Sequence, residues 1–153
     1  MSGHEPNSTR TPILVSACLL GLPTRYNGAH CRREEVLALA NGHVLIPACP
    51  EQLGGLPTPR EAAEINQGAG EDVLDGRAQV VSRRGADVTA NFLRGAKAVA
   101  HLAELFGARR AILKESSPSC GVRRIKRAGQ DVRGAGVTTA LLLRKGIQVD
   151  GIE

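Results

Sequence analysis

The sequence has no Trp, one Tyr and two Phe, so Tyr26, Phe92 and Phe106 are its whole aromatic complement. That scarcity argues against a protein that stacks unpaired bases on an aromatic platform, as the common single-strand binding folds do. Long apolar runs are missing as well: the longest stay under ten residues, against the roughly 20 that cross a bilayer, so no membrane partner is expected. The first eleven residues lack the apolar stretch of a signal peptide and read as a flexible leader, 1–11, ahead of a single domain, 12–153. No two of the four cysteines, Cys18, Cys31, Cys49 and Cys120, stand close together, which removes the Cys-x-x-Cys zinc ribbons.

What is present suits one hydrophobic core: 153 residues, 42% hydrophobic and 23% charged. Lys and Arg number 20 against 15 Asp and Glu, a net charge of +5 that tilts toward an anionic partner. A cytoplasmic location is expected, where thiols stay reduced and cysteines point to metal binding or catalysis before disulfides. A monomer is expected.

Apolar periodicity places strands at Pro12–Val15, His43–Pro47, Ala111–Leu113 and Ile147–Val149, with a weaker edge strand at Gln79–Ser82. Helices are expected over Arg33–Ala40, over Val88–Phe106 behind an Asp87 cap, and over Val137–Arg144, with one or two helical turns at Glu61–Ile65. In the long helix Phe92, Ala96, Val99, Leu102, Ala103 and Phe106 form the apolar stripe. Gly54 to Arg60, with two glycines and two prolines, is a shaped loop. Strands alternating with helices predict an α/β fold, a single Rossmann-like domain with a mainly parallel sheet flanked by helices.

Three cysteines then acquire a common position, because Cys18, Cys49 and Cys120 each follow a strand. In a parallel sheet those ends share one edge, where open α/β folds bind ligands. Three thiolates meeting there suit an iron–sulfur cluster or a thiolate-rich zinc site, whereas three separately packed core cysteines are the bland alternative. Cys31, at a loop-to-helix junction, is either a bystander or a fourth ligand that would close the site.

The blocks Cys18-Leu19-Leu20-Gly21, Arg25-Tyr26-Asn27-Gly28, Cys49-Pro50-Glu51, Gly55-Leu56-Pro57-Thr58-Pro59-Arg60, Ser117-Pro118-Ser119-Cys120-Gly121 and Gly136-Val137-Thr138 occur in that order. Together they resemble the small bacterial family known as domain of unknown function 523, whose characterised members are thiouracil desulfidases. The resemblance implies a [4Fe–4S] cluster on Cys18, Cys49 and Cys120 with one iron free of protein, and catalytic roles for Glu51 and Ser117. It implies a thiolated pyrimidine, 2- or 4-thiouracil, as the small-molecule substrate, cleaved hydrolytically with release of sulfide.

Within that expectation Glu51 activates water or shuttles a proton, and Ser117 hydrogen-bonds the base or the water. Arg25, Tyr26, Asn27 and Ser119 are candidates to meet the pyrimidine edge. Lys114 and Glu115 either orient the site or pair with each other, and Arg60 ties nearby carbonyls. The segment 122–133 departs from the family, which commonly carries Asp-Gly and aromatic residues there. Its basic residues Arg123, Arg124, Lys126 and Arg127 support two alternatives: a transfer-RNA thiouridine desulfidase holding phosphates through them, or a solvated face. A non-catalytic cluster or zinc-binding module is the third reading.

Overall fold

A computed structural model describes residues 10–153. Most of the expected leader lies outside those residues, and Thr11 already opens a strand. In chain order the elements are β1 (Thr11–Ser16), α1 (Glu34–Leu37), β2 (His43–Ala48), α2 (Pro50–Leu53), β3 (Ala63–Ile65), α3 (Gly70–Leu74), β4 (Val80–Ser82), α4 (Thr89–Phe106), β5 (Arg110–Lys114), β6 (Arg124–Arg127), β7 (Gln130–Arg133), α5 (Val137–Arg144) and β8 (Gln148–Ile152).

The four strands expected to build the sheet do so, all parallel, in the order β2-β1-β5-β8. In the central register Leu14 faces Ile46 on one side and Ala111 on the other. Successive side chains of a strand point to opposite faces, and the core obeys that period. Leu14, Ala111 and Leu113 pack with Val99 and Ala103 of α4 and Leu142 of α5. Ile13, Val15 and Ile112 face the other way, toward Val36 of α1. A third cluster, with Ile65, Val73, Val80 and Phe92, lies beyond the sheet around the β3–β4 pair.

The long helix α4 buries Phe92, Gly95, Ala96, Val99, Ala100 and Ala103. Its expected stripe ends a turn early: Phe106 is 53% exposed, because Gly107 adopts a left-handed conformation (φ 68°) and turns the chain toward β5. Asp87 stands just outside the helix and accepts the Thr89 N–H at 2.9 Å. Gly54 and Gly95 bring α2 onto α4 backbone to backbone. A Cβ on Gly95 would stand 1.9 Å from the Pro50 carbonyl oxygen, and one on Gly54 2.0 Å from that of Asn91. The α2 helix that carries Glu51 is therefore seated on the longest helix with no side chain between them.

Two local expectations are corrected, and one segment that carried none is defined. The helix over Arg33–Ala40 is shorter, α1 followed by a 3-10 turn at Ala38–Asn41. Glu61–Ile65 is not helical: Ala63–Ile65 pairs antiparallel with β4, and the fully buried Ile65 anchors that pair in the core. Over 122–133, where no apolar period stands out, β6 and β7 form a hairpin turned by Ala128 (φ 53°) and Gly129 (φ 76°). Among the described residues no helix is long and apolar enough to cross a membrane.

Candidate active site

The crossover from β1 leads to one side of the sheet and that from β5 to the other, so the carboxyl ends of β1 and β5 form the switch point where an open α/β sheet leaves a crevice. Cys18 lies in the 3-10 turn that continues β1, Cys49 joins β2 to α2, and Cys120 sits on the loop after β5. All three border one cavity of ≈ 590 Å³. Cys18 reaches it from the α1 side of the sheet and Cys120 from the α4/α5 side.

The thiols are free. Burial, then the neighbouring Cys31 and Cys49, push the Cys18 thiol up to about 11. Burial pushes Cys120 up to about 12, and Cys49 and Cys18 add to it against a hydrogen bond from Ser16. Without a cation beside them the Cys18 and Cys120 sulfurs are protonated, and a metal that binds there must displace those protons. Among the described residues no three His, Cys, Asp or Glu side chains converge tightly enough to hold one metal ion. Three soft sulfur donors on the wall of one cavity are a donor set that suits a polynuclear iron–sulfur core. Cys31 is absent from the cavity wall. Its N–H donates to the Cys18 carbonyl at 2.8 Å, and its side chain packs against the α1-side core.

Beside the thiols stands a bonded chain of polar groups. Glu51, in the first turn of α2, receives the Arg60 Nε–H on Oε1 at 2.8 Å and the Ser119 hydroxyl on Oε2 at 2.9 Å. Ser117 Oγ accepts the N–H groups of Ser119 and Cys120, both at 3.1 Å. A hydroxyl so engaged has its hydrogen left for another acceptor, and Ser119 Oγ is 2.9 Å away. The direction of donation thus runs from Ser117 to Ser119 to Glu51. Ser117 shapes the loop that presents Cys120, while Ser119 is the serine that touches the carboxylate. Gly136 permits this loop its close seat, because a Cβ there would stand 2.5 Å from the Ser119 carbonyl carbon.

Arg25 and Tyr26 reach the wall, with the Arg25 guanidinium 5.9 Å from the Tyr26 ring centre. Asn27 does not: its Oδ1 accepts the Ala29 N–H at 3.0 Å within the turn. Lys114 lines the cavity, but it donates to the Glu115 carbonyl at 3.3 Å and makes no ion pair with that carboxylate. Glu115, fully buried, instead accepts the N–H groups of Val122, Arg123 and Arg124 and the Arg123 guanidinium. Burial alone would raise its pKa; those donors outweigh it and hold the carboxyl below the usual range.

The basic run is engaged internally. Arg123 pairs with Glu115, Arg124 with Asp131 and Glu153, and Lys126 with Asp131. Arg127 donates to the carbonyls of Ile65 and Gly68. Ser16 and Arg83 are wall residues that the sequence did not mark. Ser16, two residues before Cys18, accepts the Lys114 N–H at 3.0 Å and so ties the ends of β1 and β5; its place just before a strand-end cysteine was the available signal. Arg83 follows an edge strand and carried none.

The sequence model of the 2-thiouracil desulfurase family matches residues 13–152. The chain is 46% identical over 140 residues to a Bacillus subtilis (strain 168) protein named Uncharacterized protein YbbK, covering 90% of this chain and 93% of that one. It is also similar to a solved structure of TudS, described as a [4Fe-4S]-dependent thiouracil desulfidase. That likeness has a TM-score of 0.81 at 45% identity and covers 93% of this chain and 91% of that one. With the match running from the first core strand into the last, the chain belongs to the 2-thiouracil desulfurase family.

Proposed function

We propose that the protein is a thiouracil desulfidase that carries a [4Fe–4S] cluster on Cys18, Cys49 and Cys120 and releases sulfide from thiouracil to leave uracil. One observation carries this reading: three free thiols and the Glu51–Ser119–Arg60 set face the same cavity at the sheet's switch point. Bound through three cysteines, such a cluster supplies an iron free of protein, a soft Lewis acid suited to the sulfur of a thiocarbonyl.

The chain's own groups supply the rest. Thiocarbonyl plus water gives carbonyl plus hydrogen sulfide, which balances without external electrons and requires two proton transfers from water to sulfur, the first from the attacking water. Glu51 has two of its roughly four lone-pair positions filled, which leaves room to take that proton and return it. Ser119 steers the carboxylate by donating to it, and Ser117 steers Ser119. Arg25 and Tyr26 form the wall beside which the pyrimidine lies. The family's nucleobase chemistry and the internally paired basic hairpin favour a small thiolated base over transfer RNA.

The test is sulfide release from 2-thiouracil and 4-thiouracil by anaerobically reconstituted protein, with thiolated transfer RNA alongside. Turnover of a free base that changes little with salt is expected, since a phosphate-tracking substrate would give a steep salt dependence. Cys18→Ser, Cys49→Ser and Cys120→Ser should each lose the brown chromophore, and Cys31→Ser should keep it. Protein that holds its full iron and sulfide yet releases none from either base would overturn the reading.

A further inference from the structure

Arg60 lines the cavity with a side chain only 6% exposed. A guanidinium has five N–H donors in a rigid fork, and here every one has an acceptor. Nε donates to Glu51 Oε1 at 2.8 Å. Nη1 donates to the Pro57 carbonyl at 3.2 Å and to Thr58 Oγ1 at 2.9 Å. Nη2 donates to the Thr24 carbonyl at 2.9 Å and to Cys49 Sγ at 3.8 Å. The Arg60 backbone N–H adds a bond to the Tyr26 carbonyl at 2.7 Å. The Pro57 and Thr58 bonds are those of a loop tie. The others join a carboxylate, a ligand sulfur and the segment that carries Arg25 and Tyr26, which a loop tie does not require.

We propose that Arg60 is a positioning residue that locks Glu51, the Cys49 sulfur and the Thr24–Tyr26 wall into one unit, and that its Nη2–H sets the electronic character of the metal centre through Cys49. The inference rests on the desulfidase reading given above. In the free thiol, Cys49 itself donates to the Thr24 carbonyl at 3.6 Å. A thiolate has no such hydrogen, so among these contacts the Arg60 N–H is the hydrogen bond that stays with the sulfur when it binds iron. Hydrogen bonds to the sulfurs and nearby charge are what set an iron–sulfur potential. Lysine, a point charge with three rotatable donors, cannot serve five acceptors in one plane.

The experiment compares wild type, Arg60→Met, Arg60→Lys and Gln52→Ala, each reconstituted anaerobically and matched for iron and sulfide content. Gln52 donates to Thr58 Oγ1 at 2.7 Å, so Gln52→Ala loosens the same loop without touching Arg60. The reduction potential is read by EPR-monitored redox titration, and kcat and KM by sulfide release. Arg60→Met should move the potential to a more negative value and lower kcat by about 10–100-fold, with a smaller change in KM. Arg60→Lys should fall between Arg60→Met and wild type, and Gln52→Ala should match wild type in both readouts. If Arg60→Met fails to hold its cluster while Gln52→Ala keeps it, the proposal is also supported, and Arg60→Lys then supplies the potential.

An Arg60→Met protein with the wild-type potential and kcat overturns the proposal. So does a Gln52→Ala protein that reproduces both shifts, since Arg60 would then act only through the loop. Wild-type protein that neither binds a cluster nor releases sulfide would defeat the functional reading instead, before any variant is compared.

Discussion

Glu51 and Glu115 both stand beyond the carboxyl end of a sheet strand, and both line the same cavity. Both are shielded, with side chains 13% and 0% exposed. Their hydrogen bonding is opposite in kind. Glu115 is saturated: Oε1 takes three backbone N–H groups at 2.9 to 3.3 Å, and Oε2 takes the Arg123 N–H and guanidinium, both at 3.2 Å. It is also pressed against Gly151, where a Cβ would stand 2.1 Å from Oε2. Glu51 holds one donor on each oxygen, both from side chains. A carboxylate whose lone pairs are all taken, chiefly by backbone, is a staple for the chain that supplies them. One with lone pairs to spare, held by groups that can adjust, can accept and return a proton.

The sharpest way to break this contrast is to remove the charge from each. Glu51→Gln keeps the size and an oxygen for Ser119 or Arg60 but cannot take a proton. Sulfide release should fall about 10²- to 10⁴-fold, with cluster absorbance retained and a stability loss smaller than that of Glu115→Gln, since the amide can still accept from Arg60 and donate to Ser119. Full turnover by cluster-loaded Glu51→Gln would remove Glu51 from the chemistry and leave it as a second structural carboxylate.

Glu115→Gln should show the reverse pattern. Its amide would present hydrogens to N–H groups that need an acceptor, deep in the protein, so a stability loss of ~3 kcal/mol is expected by urea unfolding. The same carboxylate predicts a pH dependence. Its pKa is lowered in the folded state from 4.5, so its contribution is complete above that value and drains away as the pH falls through the lower folded pKa. Wild type should lose stability on acidification below 4.5, and Glu115→Gln should lose less over the same range. Parallel pH curves for the two proteins would show that the saturated carboxylate is not the acid-sensitive staple described.

Why one carboxylate was marked by the sequence and the other only weakly follows from how far apart their partners lie. Glu51 stands two residues from a strand-end cysteine within a recognisable block, whereas Glu115 is defined by N–H groups of a segment with no apolar period. The sheet strands β1, β2, β5 and β8 were legible as short apolar stretches bounded by turn signals or a helix, α4 by apolar residues recurring at steps of three and four, and α5 by the apolar run after Gly134-Ala135-Gly136. Ala63–Ile65 is three residues, too few for alternation to differ from a helical turn, and only Ile65's burial beside Val80 and Phe92 decides it. Asn27 precedes Gly28 and reads equally as a turn or a ligand-binding residue; the structure gives its side chain to the turn. The five bonds of Arg60 were invisible because their acceptors, from Thr24 to Thr58, are spread over three loops and a helix that only the fold assembles.

A third carboxylate sharpens the comparison at its weak end. Half-buried Glu64 accepts the N–H groups of Ala128 at 2.9 Å and Gly129 at 3.4 Å, the staple pattern of Glu115 moved toward solvent. It holds a turn in which both central residues have positive φ, 53° at Ala128 and 76° at Gly129. That conformation favours Asn-Gly, and a Cβ at such a position costs ~1–2 kcal/mol unless the side chain tolerates it. The alanine also explains why no hairpin was legible there. If Glu64 fastens this turn against its backbone strain, easing the strain should add to stability without disturbing the site. Ala128→Asn should raise stability by ~0.5–1 kcal/mol, a melting-temperature gain of roughly 1–4 °C for a chain of this size, with sulfide release unchanged. A lower melting temperature would mean that the turn is not held in the left-handed geometry that makes its alanine a cost.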